Sequence, residues 1–171
     1  MNTRQRYDLL LSIYLSIRGF AFVLAEGAQN PVDWGITDAR GPSKNQKCMA
    51  AIEALVHRYR PDVLVLEDTS HKSSSRSRRV QQLNADICVF ADEYGMAVIR
   101  VSRNDVRAAF TPYGAETKDE IAEVISERIP VLTRYVPPAR KPWMSEDARM
   151  ALFDAAALLL TASFRNFDSS S

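Results

Sequence analysis

The sequence predicts an α/β fold: a mixed five-stranded sheet, three antiparallel strands then two parallel ones, flanked by helices. Three observations predict it. Apolar and aromatic runs separated by short turn signals fill the first forty residues. Two near-continuous apolar runs then alternate with stretches of helical spacing. No internal repeat or second-domain linker divides the 171 residues, which fit one domain, 1–171.

Residues 8–16 hold Leu9, Leu10, Leu11, Ile13, Tyr14 and Leu15 and form the first strand. Arg18-Gly19 turns the chain into a second strand over 20–26; GAQNP breaks it, and VDWGITD at 32–38 makes a third. Short links of this kind join antiparallel neighbours. Gly41-Pro42-Ser43 starts a helix whose apolar positions are Met49, Ile52, Leu55, Val56 and Tyr59, and Pro61 ends it. VLVLE at 63–67 is apolar almost throughout, as a parallel strand covered on both faces would be. HKSSSRSRR at 71–79 is polar and basic and predicts an exposed loop. Val80, Leu83, Ile87, Phe90 and Tyr94 mark a second helix, stopped by Gly95. MAVIRV at 96–101 is the fifth strand; Ile121, Val124, Ile125 and Ile129 mark another helix, ended by Pro130. PPARKPW at 137–143 is a rigid connector, and Ser145 caps a final helix running to about Phe164.

Composition narrows the function classes. Hydrophobic residues at 46% and charged ones at 25% describe an ordinary folded chain rather than a disordered one. A net charge of +1 means that any nucleic-acid surface is a local patch. Cys48 and Cys88 both fall in helical stretches and predict reduced thiols rather than a disulfide. The longest late apolar run, MALFDAAALLLTA, is too short to span a bilayer and carries Asp154, so the protein is expected to be cytoplasmic, with no membrane partner.

The chemistry lies in two acids. Glu67 ends a strand at the edge where parallel sheets place their sites, whereas the bland account is a strand leaving the core for solvent. Asp154 is the one charge between Met150 and Ala162, on a helix apolar nearly all round. A buried carboxylate there needs either a cationic side chain or a bound cation. Asp147, two turns earlier, shares its helical face about 10 Å along the axis, and can serve a second ion or the rim of the cleft. Carboxylates of this kind suit Mg²⁺ or Mn²⁺ and phosphodiester hydrolysis. Zinc is disfavoured, because His57 and His71 are the only histidines.

Four stretches, IYLSIRGF at 13–20, DVLVLED at 62–68, VRAAFTPYGAETK at 106–118 and FDAAALLL at 153–160, resemble in order and spacing the RuvC resolvase branch of the ribonuclease-H-like nucleases. The resemblance implies a ribonuclease-H-like fold and a homodimeric, Mg²⁺-dependent endonuclease that cuts branched DNA such as Holliday junctions. It implies that Glu67 and Asp154, with Asp147 as a displaced third acid, are the catalytic and metal-binding residues. It also implies that Arg107 and Lys118 face the DNA backbone. The basic loop Lys72, Arg76, Arg78 and Arg79 suits the same phosphate contact. One departure matters. The family's first strand carries an aspartate where this chain has Tyr14, and a neutral phenol does not replace a bridging carboxylate. The acid expected three residues before the last aspartate is Ala151. Two readings follow: an endonuclease of this family, or a resolvase-fold protein that binds branched nucleic acid, or a protein partner, without cutting.

Overall fold

The computed structural model describes residues 9–27, 29–70 and 76–168. Strands β1 (Leu10–Leu15), β2 (Gly19–Ala25) and β3 (Pro31–Asp38) form a meander. They are followed by helix α1 (Lys44–Tyr59), strand β4 (Val63–Glu67), helix α2 (Arg78–Tyr94), strand β5 (Ala97–Val101), and helices α3 (Arg103–Phe110), α4 (Lys118–Arg128) and α5 (Met150–Asp168). The sheet order is β3-β2-β1-β4-β5. Strand β1 is therefore central, antiparallel to β2 and parallel to β4, with β5 parallel to β4 on the far side. This is the sheet that the sequence predicts.

Alternation along the strands divides the core in two. Leu11, Ile13, Leu15, Leu64 and Leu66 pack beneath α1 and α2 with Ile52, Val56, Leu83 and Ile87. Leu10, Val63 and Val65 face the other way, into a cluster built on α5 with help from α3 and α4. From Met150 to Ser163 every residue of α5 except Asp154 is buried, which accounts for its almost unbroken apolar sequence. One polar bond fixes this helix on the sheet: the buried Ser12 Oγ donates to the Ala155 carbonyl at 2.7 Å. The β1–β2 turn is equally constrained. A Cβ on Gly19, whose φ is +156°, would lie 2.0 Å from the Thr37 carbonyl oxygen.

Three expectations change. Helix α3 is an additional element; it is eight residues long and begins with a capping box in which Ser102 and Asp105 satisfy each other's backbone amides. Helix α5 starts at Met150, not after Ser145. Asp147 starts it instead: its Oδ1 accepts from the Arg149 amide at 2.9 Å and its carbonyl from the Met150 amide at 3.0 Å. The basic stretch is not an exposed loop throughout. Ser77 caps α2, so Arg78 and Arg79 are helical and Arg76 is packed against β1. Both cysteines are free thiols. No helix among the described residues is long and apolar enough to cross a membrane.

Candidate functional site at the carboxyl ends of β1 and β4

The parallel register of β1 and β4 pairs Ser12 with Val65 and Ile13 with Leu66. One step further, Tyr14 and Glu67 stand side by side where the two strands end, both on the α5 face by alternation. Asp154 comes down from α5 onto the same place, one residue before the carbonyl that Ser12 holds. These three residues line a cavity of about 230 Å³, floored by Val106, Ile121, Met150, Phe153, Ala157 and Leu158 and rimmed by Arg103, Arg107, Glu116 and Lys118. Two acids distant along the chain thus meet in one cleft.

They do not meet as free carboxylates. The Arg76 Nε lies 3.9 Å from Glu67 Oε1, and the two side chains are only 14% and 13% exposed. Its Nη1 donates to the Tyr14 hydroxyl at 3.3 Å and its Nη2 to the Leu15 carbonyl. The buried Nε has no hydrogen-bond partner among the described residues, so the contact with Glu67 is electrostatic. On the other flank Lys118 Nζ bonds Asp154 Oδ2 at 3.3 Å and Glu146 Oε1 at 2.9 Å. Lys118 reaches there as the first residue of α4, fixed by the Thr117–Glu120 capping box. The Tyr14 ring lies between the two cations, 5.1 Å from the Arg76 Cζ and 5.9 Å from the Lys118 Nζ. Its negative π face makes both contacts attractive.

Protonation follows from this packing. Burial, and then the Asp154 charge, raise the Tyr14 phenol above its ordinary 10.0, so it is neutral at pH 7. Burial pushes the Asp154 carboxyl up to about 6, against the pull of Lys118. Lys118 is shifted in the opposite sense: burial lowers it, yet Asp154, Tyr14 and Glu146 together hold it above the usual ammonium range. The pair therefore favours the lysine charge more than the aspartate charge. The reason is location, since the lysine side chain is 45% exposed and the aspartate 16%.

Other expected site residues lie elsewhere. Asp147 does not line this cavity; the Arg149 guanidinium engages it through Nε and Nη2 at 2.9 and 2.7 Å, which holds its carboxyl down at about 2. The shared helical face that would have brought it near Asp154 does not exist, because Asp147 precedes α5. Arg79 donates to the Ser16 carbonyl and to Asn45 Oδ1, tying α2 to the β1–β2 turn and to α1. Arg78 is exposed, as is Arg107 at the cavity rim. Lys72 and His71 lie outside the described residues. His57 stacks edge-on with Tyr94 on the outer helices, away from the site. Arg103, Glu116 and Glu146 were missed, although two capping signals, SRND at 102–105 and TKDE at 117–120, are legible in the sequence.

The donor set decides what the site can hold. A hard divalent cation takes six or more oxygen ligands, with carboxylates providing most of the charge. Here two carboxylates are each engaged by a cation, and the strand-end position beside them is a neutral ring. No group of three histidine, cysteine, aspartate or glutamate side chains gathers among the described residues. These residues do not fit the Mg²⁺ or Mn²⁺ site that the sequence resemblance implies, and Asp147 does not supply the missing ligand.

No protein-family model matches the chain. A curated relative, the crossover junction endodeoxyribonuclease RuvC of Brevibacillus brevis, is 28% identical over 116 residues, which cover 64% of this chain and 70% of that protein. T. thermophilus RuvC, solved in complex with a Holliday junction substrate, superposes with a TM-score of 0.69 at 18% identity over 94% of this chain and 96% of that one. The chain is RuvC-like. The RuvC-like fold extends to more distant structures. The yeast mitochondrial Holliday junction resolvase gives a TM-score of 0.57 at 15% identity, covering 96% of this chain and 83% of that one. The fowlpox virus resolvase with its junction DNA gives 0.55 at 15%, covering 92% and 98%. The RuvC-like sheet accounts for the position of the cavity; the side chains inside it are this chain's own.

Proposed function

We propose that this RuvC-like chain, acting as one domain, binds branched DNA on the face that carries the cavity and does so without metal-dependent hydrolysis. One observation carries the reading: Glu67 and Asp154 share their cavity with the neutral Tyr14 ring, and each is paired with a cation, Arg76 or Lys118, that also contacts that ring. Hydrolysis by paired divalent ions needs carboxylates free to bridge them, and here internal cations take up that charge. Likeness to RuvC and to the fowlpox resolvase, both solved with junction DNA, supports the substrate class. Exposed Arg103 and Arg107 give phosphate-binding charge at the cavity rim, and the basic stretch at 71–79 suits Arg78 and Lys72 to the same role. Resemblance further supports a homodimer acting in the cytoplasm, in recombination or repair.

Binding of a labelled four-way junction and of a matched duplex, measured in EDTA, Mg²⁺ and Mn²⁺ across a salt series, tests this. The expected result is preference for the junction, affinity that falls steeply with salt, the same affinity in EDTA as in Mg²⁺ at equal ionic strength, and intact DNA afterwards. Metal-dependent nicking at high protein concentration would reinstate the endonuclease reading, with Glu67 and Asp154 as its acids. No preference for the junction would remove branched DNA as the ligand.

A further inference from the structure

The connector before α5 presents an aromatic ring to solvent. Lys141, Pro142, Trp143 and Met144 close a turn in which the Met144 amide donates to the Lys141 carbonyl at 2.9 Å. Pro142 fixes the second position, and Arg140 Nε donates to the Met144 carbonyl at 2.6 Å, bracing the turn from outside. Trp143 is 78% exposed at its tip. A braced turn that keeps an indole in water forgoes the burial such a large apolar surface favours.

The charge around it specifies the partner. Both acids of the segment are committed, Glu146 to Lys118 and Asp147 to Arg149. Arg140 and Lys141 leave the turn positive, and Lys141 Nζ lies 5.4 Å from the Trp143 ring centroid. Beneath the turn is a concavity of about 350 Å³ with Arg18, Arg140 and Met144 in its wall. It also includes Glu146, the residue that grips Lys118 at the rim of the first cavity. The turn and the cleft therefore belong to one surface.

We propose that Trp143 is a stacking platform for an unpaired nucleobase of branched DNA, with Arg140, Lys141 and Arg18 contacting the flanking phosphates. This assignment rests on the branched-DNA reading. A flat ring accepts any base, since each has a π face, and neighbouring cations supply the sequence-independent part of the affinity. An apolar protein partner would call for broadly apolar surroundings, whereas here Lys141 lies against the ring and Arg140 stands in the same turn, with Met144 the exposed apolar neighbour.

The test uses the full chain and three labelled DNAs: a four-way junction, a duplex with a short single-stranded gap, and the intact duplex. Trp143→Ala is expected to weaken junction and gapped-DNA binding by roughly tenfold and to leave duplex binding unchanged, with Trp143→Phe in between. Gapped DNA is also expected to quench tryptophan emission of the unsubstituted protein but not of Trp143→Phe. Equal affinity of Trp143→Ala and the unsubstituted protein for all three DNAs, with no quenching, overturns the platform and leaves branched-DNA binding standing. If the unsubstituted protein binds none of them, both readings fall.

Discussion

The Arg76 guanidinium lies over the Tyr14 ring, its Cζ 5.1 Å from the centroid, while its Nη1 donates to the Tyr14 hydroxyl at 3.3 Å. The same side chain carries its Nη2 to the Leu15 carbonyl and its Nε toward Glu67. One arginine thus ties together the ends of β1 and β4 and the start of α2. Arg76→Leu is expected to cost about 1–3 kcal/mol, since it strands a mostly buried Glu67 and an unpaired carbonyl. Arg76→Lys keeps the charge but loses the fork, and should recover only part of that. Urea denaturation of the three proteins checks the order; a lysine variant as stable as the original would show that charge alone matters.

Tyr14→Asp places a third carboxylate in the cavity that Glu67 and Asp154 line. It is expected to give the cavity a Mn²⁺ affinity that the unsubstituted protein lacks, read as a rise in Tm with added Mn²⁺, which binding to the native state alone produces. Tyr14→Phe, which keeps the ring and removes only the weak hydroxyl contact, should melt within a few degrees of the original and ignore the metal. A flat response from Tyr14→Asp would mean that Arg76 and Lys118 still occupy the place.

Asp154 makes stability pH-dependent in an uncommon direction. Its folded pKa, about 6, lies above the ordinary carboxylate value of 3.8, so the folded state binds the proton more tightly than the unfolded state does. The associated stability is fully present below about pH 4 and is lost as pH rises through 6. The gap corresponds to about 3 kcal/mol. Asp147 acts oppositely in a separate window, losing its contribution as pH falls from about 4 through about 2. Asp154→Asn should abolish the decline between pH 4 and 6, and denaturation curves collected across that range would reveal an unchanged slope if Asp154 is not its source.

Gly19→Ala is expected to destabilise by about 3 kcal/mol. Its new methyl would meet the Thr37 carbonyl oxygen, a backbone atom of the neighbouring strand that cannot move without opening the β2–β3 ladder. Thermal unfolding measures this, and a loss below 1 kcal/mol would show that the β1–β2 turn relaxes more readily than its hydrogen bonds suggest.

The sheet was legible because its strands carry their own signals: VLVLE reports burial on both faces, and the meander is punctuated by Gly19 and Pro31. Glu67 and Asp154 were legible as acids out of place among apolar neighbours, and the structure brings them to one cavity. Their partners were not. Arg76 sits in a serine- and arginine-rich stretch whose composition is that of any solvated loop, and only the docking of α2 against β1 turns it inward. Lys118 looks like a surface residue until the Thr117–Glu120 cap aims it. Asp147 misled because periodicity extended the final helix one turn too far, where a carboxylate that bonds the next amides begins the helix instead.

Helix α5 forms one wall of the cleft and most of the cover on one sheet face, yet it follows all five strands in the chain. During synthesis the nascent sheet keeps much of that apolar side uncovered until this segment emerges from the ribosome, and transiently exposed apolar surface of this kind is prone to aggregate. The Ser12–Ala155 latch closes in the same docking event that delivers Asp154. Docking of this one helix therefore both covers the sheet and completes the cavity between Tyr14, Glu67 and Asp154.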